Sequence, residues 1–397
     1  DGFTKVKDIQ LANGSNALRG MCITPDGKYI YVSHNLGRFT VPTSQLQQGW
    51  MNTSAFSVID VAKQEFVGAV LVDEPDRGAA GIWSIACDDK HIFITHSGTH
   101  EVSVIDHPAM LAKFESYKDK SRLDYDLNFL YGLRERVPLQ GNGPRNFIFS
   151  GDKLIIPTYF ADILNTVDIN TLEVTATDMN PGRTETPENK GEKYFNDANH
   201  CYQGWQSCNG CHPGDARTDG MNWDLMNDGV GNSKNCKSML FSHMTPPNMI
   251  SGIREHAERA VRAGFNFIQF FEVSEEDAAC VDAYLKSLRP VPSPYLVNGE
   301  LSDLAKEGQK VFEKLKCGEC HSGVYYTDMK YHRIGEDIEF EKGWDTPTLR
   351  EVWRTAPYLF DGRAATMKEV FSVHKHGIEK KVSEKDIEAL TEYVNSL

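Results

Sequence analysis

Along the first half of the chain, apolar and polar positions alternate in short runs. Three runs share one pattern: Lys28-Tyr-Ile-Tyr-Val-Ser-His34, Lys90-His-Ile-Phe-Ile-Thr-His96 and Lys153-Leu-Ile-Ile-Pro-Thr-Tyr159. Their density of β-branched and aromatic residues predicts strands. Each comes after a tight-turn signal: Pro25-Asp26-Gly27, Asp88-Asp89 or Gly151-Asp152. Each leads into a second β-branched run ending in Asp60, Asp106 or Asp168. Short strands with regular turn signals predict propeller blades, with a β-sandwich as the alternative. Three blades are visible, plus a leading piece at residues 1–14, whereas a ring needs about four to eight. The propeller is therefore expected to be incomplete here, its missing blades coming from further N-terminal sequence or from a partner chain. Residues 38–54 and 108–142 read as insertions between strands, and the polar Pro/Gly stretch 180–196 as a linker.

In the second half the period becomes helical. Ser274-Glu275-Glu276-Asp277 opens a segment ending in Tyr284-Leu285-Lys286-Ser287-Leu288, and Ser383-Glu384-Lys385-Asp386 opens one ending in Tyr393-Val394-Asn395-Ser396-Leu397. A Ser N-cap, an acid at the capping-box position and apolar residues at helical spacing predict a helix in each. The two segments are 109 residues apart. Thr245-x-Pro247-x-x-x-x-Gly252 and Thr355-x-Pro357-x-x-x-x-Gly362 repeat at 110. Leu304 to Leu315 predicts another helix, running straight into Cys317.

The same interval separates Cys208-Asn209-Gly210-Cys211-His212 from Cys317-Gly318-Glu319-Cys320-His321. Cys-x-x-Cys-His is the c-type haem attachment pattern, in which two thiols form thioethers and the His binds iron; zinc is the alternative use of such thiols. The second half thus reads as two related haem modules in tandem. The expected fold is multi-domain: β-propeller-like blades over 1–185, then all-α cytochrome c domains over 190–292 and 297–397.

A net charge of −14 with dispersed acids disfavours nucleic acid as a partner. No run of about eighteen apolar residues predicts a membrane span. No signal peptide is visible at Asp1, so the chain reads as a mature form or a fragment. Two covalent haems imply export, to the periplasm or another extracytoplasmic space. Besides the four attachment thiols there remain Cys22, Cys87, Cys201, Cys236 and Cys280, an odd number, so at least one stays unpaired within the monomer.

The strand pattern resembles the YVTN-type propeller family. Asp345-Thr-Pro-Thr-Leu-Arg350 through Thr355-Ala-Pro-Tyr-Leu-Phe-Asp-Gly362 resembles the second haem domain of bacterial di-haem cytochrome c peroxidases and the related MauG enzymes. The run Asp215-Ala-Arg-Thr-Asp-Gly-Met-Asn-Trp-Asp224 is similar to exported proteins that fuse a propeller to such a unit. The resemblance covers residues 195–397 and implies a peroxidase-like oxidoreductase. Its electron-transferring haem would be held by His321 with His374 as sixth ligand and His376 as fallback. Carried back by 109 or 110, His374 falls on Phe265 or Gly264, so the haem at His212 is expected to be open and reactive. His243, Glu255 and His256 are the candidate proton-transfer groups there, each with a plain surface or solvated-face alternative. Met221, Met226, Met239, Met244 and Met249 read as core filler that could instead cap iron, and Trp205 and Trp223 as packing or an inter-haem aromatic. The family's calcium ion would fall at Asn235, Thr355 and Pro357. The implied partners are an electron-donor or acceptor protein and a small oxidant such as peroxide. A non-catalytic electron-transfer cytochrome with a propeller docking module is the alternative.

Overall fold

The structure, a computed structural model, describes residues 4–41, 51–225, 231, 233–334 and 341–397. The chain divides into two compact units, Asp1–Cys211 with Ile268–Val273, and His212–Phe267 with Ser274–Leu397.

The first unit holds three four-stranded antiparallel sheets. The first contains β1 (Ser15–Ile23), β2 (Tyr29–Gly37), β3 (Asn52–Asp60) and β4 (Glu65–Leu71); the second contains β5 (Ile82–Cys87), β6 (His91–His96), β7 (Glu101–Asp106) and β8 (Arg134–Pro138). The third contains β9 (Ile148–Phe149), β10 (Lys153–Pro157), β11 (Ile163–Asp168) and β12 (Val174–Asp178). Each is a meander pairing sequential neighbours, and the three lysine-led runs form the second strand of each sheet. These are propeller-like blades. Strand β6 shows why its run is apolar throughout: side chains alternate faces, so Ile92 and Ile94 join one core with Tyr31, Phe56 and Ile82, while Phe93 joins another with Leu154 and Ile156.

The recurring polar residues have local roles. His34 and His96, in the C-terminal parts of β2 and β6, are fully buried, and their Nε2 atoms meet Ser57 Oγ at 2.8 Å and Ser103 Oγ at 2.7 Å on the third strand. The strand-terminal aspartates cap the backbone of the next turn or helix: Asp60 accepts the Lys63 amide, Asp168 those of Asn170 and Thr171, and Asp106 that of Ala109. Asp106 thereby N-caps helix α1 (His107–Ser116).

Three expectations need correction. The stretch 108–142 is not merely an insertion, because it supplies most of α1 and the last strand of the second sheet. Residues 187–196 of the expected linker form helix α2 (Pro187–Asn196), since Thr186 caps the Asn189 amide and proline suits the first helical position. Within 38–54, residues 42–50 lie outside the described residues, and Asn52, Thr53 and Ser54 belong to β3.

The second unit carries helices α3 (Ala257–Ala263), α4 (Glu275–Ser287), α5 (Asp303–Lys314), α6 (Met367–Ser372) and α7 (Glu384–Asn395). Ser274 and Ser383 cap α4 and α7 through the Asp277 and Asp386 amides, each at 3.1 Å. Helix α5 packs on α7 so closely that a Cβ at Gly308 would meet the Ala389 carbonyl. The unit is not purely helical: Asn222–Trp223 pairs with Lys234–Asn235, and Tyr331–His332 with Trp344–Asp345. These ladders explain the two repeat intervals. The interval is 109 through His332 and 110 from Trp344 to Gly362, so the second ladder's loop is one residue longer; between Gly362 and Ser383 the second module is one residue shorter, which restores 109.

Candidate haem sites

Both attachment histidines are held alike. His212 Nδ1 lies 3.1 Å from the Arg217 carbonyl and His321 Nδ1 lies 3.1 Å from the Tyr326 carbonyl, five residues ahead in each case. A carbonyl only accepts, so Nδ1 carries the proton and Nε2 keeps its lone pair for a metal. Burial depresses both rings, His321 to about 4 with the neighbouring His376 adding to it, so both are neutral and ready to ligate. The support beneath repeats as well. Thr218 and Thr327 each donate at 2.6 Å to the carbonyl of Cys236 and Thr346, respectively. Asp219 accepts the Trp223 indole N–H at 2.9 Å, and Asp328 pairs with His332 Nε2 at 2.7 Å. Burial pushes Asp219 up to about 6.

Around the second string lies a cavity of about 730 Å³. Cys317, Cys320 and His321 line one side, with Leu349, Tyr358, Phe360, Met367, Val370 and Phe371 giving it an apolar wall. Facing His321 is His376, its ring centroid 6.3 Å away. An imidazole nitrogen binds a metal at about 2.0–2.1 Å, so two rings sharing one ion end-on stand roughly 6 Å apart between centroids. His374 does not line the cavity, although it precedes His376 by only two residues. The reason is the end of α6: Lys375 takes a left-handed conformation (φ 47°), and the His376 amide bonds back to the Val370 carbonyl at 3.0 Å. Apolar walls, two thiols and opposed imidazoles fit a covalent haem. Burial raises the Cys317 thiol to about 11, leaving it protonated until it reacts.

The first string runs across the unit boundary, with Cys208 and Cys211 ending one unit and His212 opening the next. In the first unit Gln269 donates to Cys208 Sγ at 3.4 Å and Asn52 to Cys211 Sγ at 3.2 Å. Burial raises Cys208 to about 12. In the second unit Cys236 Sγ stands 3.6 Å from His212 Nδ1. Helix α3 has no counterpart of the Lys375 turn; the chain continues as a π turn, Gly264–Ile268, and Phe265 is buried. The positions matching His376 are Asn266 and Phe267, and neither binds iron.

The candidate proton-transfer groups do not come together. Glu255 and His256 are exposed and pair with each other at 3.7 Å, because they precede α3 on its solvated side. His243 is buried rather than at the surface; its Nε2 meets Asp282 Oδ1 of α4 at 3.0 Å, and Arg262 holds the other carboxylate oxygen. Met221, Met239, Met244 and Met249 are half-buried and none lines the cavity, while Met226 lies outside the described residues. Trp205 is buried in the first unit. Asn235 donates to the Pro357 carbonyl, its buried Oδ1 has no partner, and Thr355 lines the same cavity, so these three positions do converge.

Sequence reasoning missed Arg217 and Glu351. The Glu351 carboxylate takes Arg217 Nε at 2.6 Å and Nη2 at 3.0 Å, and also binds Arg354 Nε at 2.8 Å and the Val291 amide. It also missed the Thr-Asp pair lying six and seven residues beyond each His, a signal plainly present at the 109 interval. The zinc alternative gains no support, since the one group of three clustered ligand atoms among the described residues, Cys320, Asp328 and His332, omits Cys317 and His321.

No protein-family model matches the chain. Among curated proteins it is 27% identical over 272 residues to hydrazine synthase subunit gamma of Kuenenia stuttgartiensis, covering 52% of this chain and 76% of that subunit. Subunit beta of the same enzyme is 27% identical over 154 residues, 37% of this chain and 39% of that subunit. Cytochrome c551 peroxidase of Nitrosomonas europaea is 22% identical over 259 residues, 48% of this chain and 75% of the peroxidase. With the repeated histidine anchors and the propeller-like blades, these similarities agree with the resemblance to the di-haem cytochrome c peroxidase/MauG superfamily.

Proposed function

We propose that this chain is an exported di-haem c-type oxidoreductase in which the two haem sites have different tasks. The observation that carries the reading is the opposed His321–His376 pair, which the first module lacks. Cys317 and Cys320 would anchor the second haem, His321 and His376 would occupy both axial sides, and His376 rather than His374 is the distal residue. Cys208 and Cys211 would anchor the first, with His212 on its proximal side only. A bound haem supplies one-electron chemistry, and an open axial side lets a small molecule bind. The chain's own contribution is to fix both imidazole tautomers, to keep the second site apolar and to close it with His376. A calcium ion at Asn235, with the Thr355 and Pro357 carbonyls, would satisfy the orphaned Oδ1. Electrons would arrive from a partner protein at the second haem.

The test is axial ligation. His376→Ala should convert one of two haems from low to high spin in the EPR spectrum, and His374→Ala should leave both unchanged. The reverse pattern, or two low-spin haems that ignore peroxide and cyanide in every redox state, would overturn the assignment.

A second reading rests on two different subunits of one enzyme, hydrazine synthase, both resembling this chain. In it the open haem acts on small nitrogen compounds. Spectral titration of the first haem with hydrogen peroxide against hydroxylamine and hydrazine separates the two.

A further inference from the structure

Five cysteines lie outside the attachment strings, and two of them meet. Cys22, near the end of β1, and Cys87, ending β5, bring their sulfurs to 3.6 Å although they stand 65 positions apart. Their strands belong to different sheets, which share one core at this point. Cys22 sits on the face of β1 that meets the second sheet: two residues earlier, a Cβ at Gly20 would touch the Ile85 amide and the Trp83 carbonyl. Both thiols are half-buried, so a reagent can reach them, whereas Cys201 and Cys280 are buried. A sulfur–sulfur bond is about 2.05 Å long, so the two sulfurs at 3.6 Å need close by only about 1.5 Å.

We propose that Cys22 and Cys87 form a disulfide that staples the first sheet to the second. Cys87 is the attacking sulfur: its hydrogen bond from the Cys22 thiol holds it below the usual thiol range, while the same contact raises Cys22. The oxidant is a disulfide, carried by a protein or by glutathione. The Cys87 thiolate bonds to one sulfur of that disulfide and expels the other as a thiolate. Cys22 then bonds to Cys87 and expels the first. Two thiols of this chain are oxidised, one external disulfide is reduced to two thiols, and both protons pass to the leaving sulfurs. Export enters only as the source of oxidant, so a test with added oxidant is independent of the proposed function.

Haem-loaded protein is incubated with oxidised glutathione, alkylated without reduction, digested and mapped by mass. The expected result is a joined pair of peptides carrying Cys22 and Cys87, lighter by two hydrogen atoms than the separate thiol peptides, with the haem peptides unchanged. Reduction should lower the thermal transition of the linked protein, and Cys22→Ser/Cys87→Ser should abolish that response. Full alkylation of both thiols after oxidation, or separate glutathione adducts without a joined pair, would overturn the proposal. A linked protein whose transition ignores reductant would overturn the stapling role.

Discussion

Glu351 is the place to perturb the link between the two haem modules. Its side chain is 1% exposed and that of Arg217 is 5%, so the pair is held out of water. Burial alone would raise its carboxyl, but the bonds from Arg217, the Val291 amide and Arg354 outweigh it and hold the group ionised. Removing one partner of a buried ion pair costs about 3–5 kcal/mol, since the other charge is left without compensation. Glu351→Gln keeps volume and one acceptor oxygen, which returns about 1 kcal/mol. The expected loss is therefore roughly 2–4 kcal/mol, measured by urea unfolding of the haem-loaded protein with the far-UV signal as readout. Lys306→Gln is the control, because its partner Asp303 is fully exposed and the variant should be indistinguishable from the parent. A second readout separates position from mere stability. The Arg217 carbonyl fixes the His212 ring, so the first haem's absorption should shift while the second's stays. A loss under about 1 kcal/mol, below the range for an orphaned buried charge, would refute the reasoning, as would a shift confined to the second haem.

Acid should destabilise the first unit through its buried histidine. Burial holds His34 at about 4 against 6.5 when free, so the unfolded chain takes the proton first. The contribution of His34 is full above pH 6.5 and is lost as the pH drops to about 4, by about 3 kcal/mol; His34→Gln should remove that part of the slope in pH-resolved urea titrations. Gly308→Ala should destabilise by about 1–3 kcal/mol despite alanine's better helix propensity, because the new Cβ forces α5 away from α7. A rise in the melting temperature of that variant would show that the helices are free to separate.

The strands that sequence reveals most readily are those rich in buried apolar positions. β2, β6 and β10 announce themselves, whereas β1 passes unseen because Gly20 and Arg19 interrupt its pattern and its outer face carries exposed Met21 and Ile23. Helices α4 and α7 are legible from their serine caps and helical spacing, and α5 from its spacing alone. The two-residue ladders are not, since pairing that short leaves no periodicity. Beyond the second string the sequence offers two histidines two residues apart, and no spacing rule tells which one lines the cavity. That is set at Lys375, whose left-handed turn has no glycine to mark it. The Arg217–Glu351 pair was out of reach because its partners lie 134 positions apart in a chain rich in charge.

The carbonyl that anchors each attachment histidine is a neutral acceptor, and it sits at the same 3.1 Å in both modules. A carboxylate there would make an imidazole a stronger electron donor than a carbonyl does. Haems held by these two histidines would therefore receive the same moderate push from that side. A difference in how readily they gave up an electron would have to come from their other faces or from neighbours that differ between the modules, such as Cys236 beside His212. A duplicated module needs to alter only those positions to acquire a second trade, and the shared anchor records how little of the ancestor had to change.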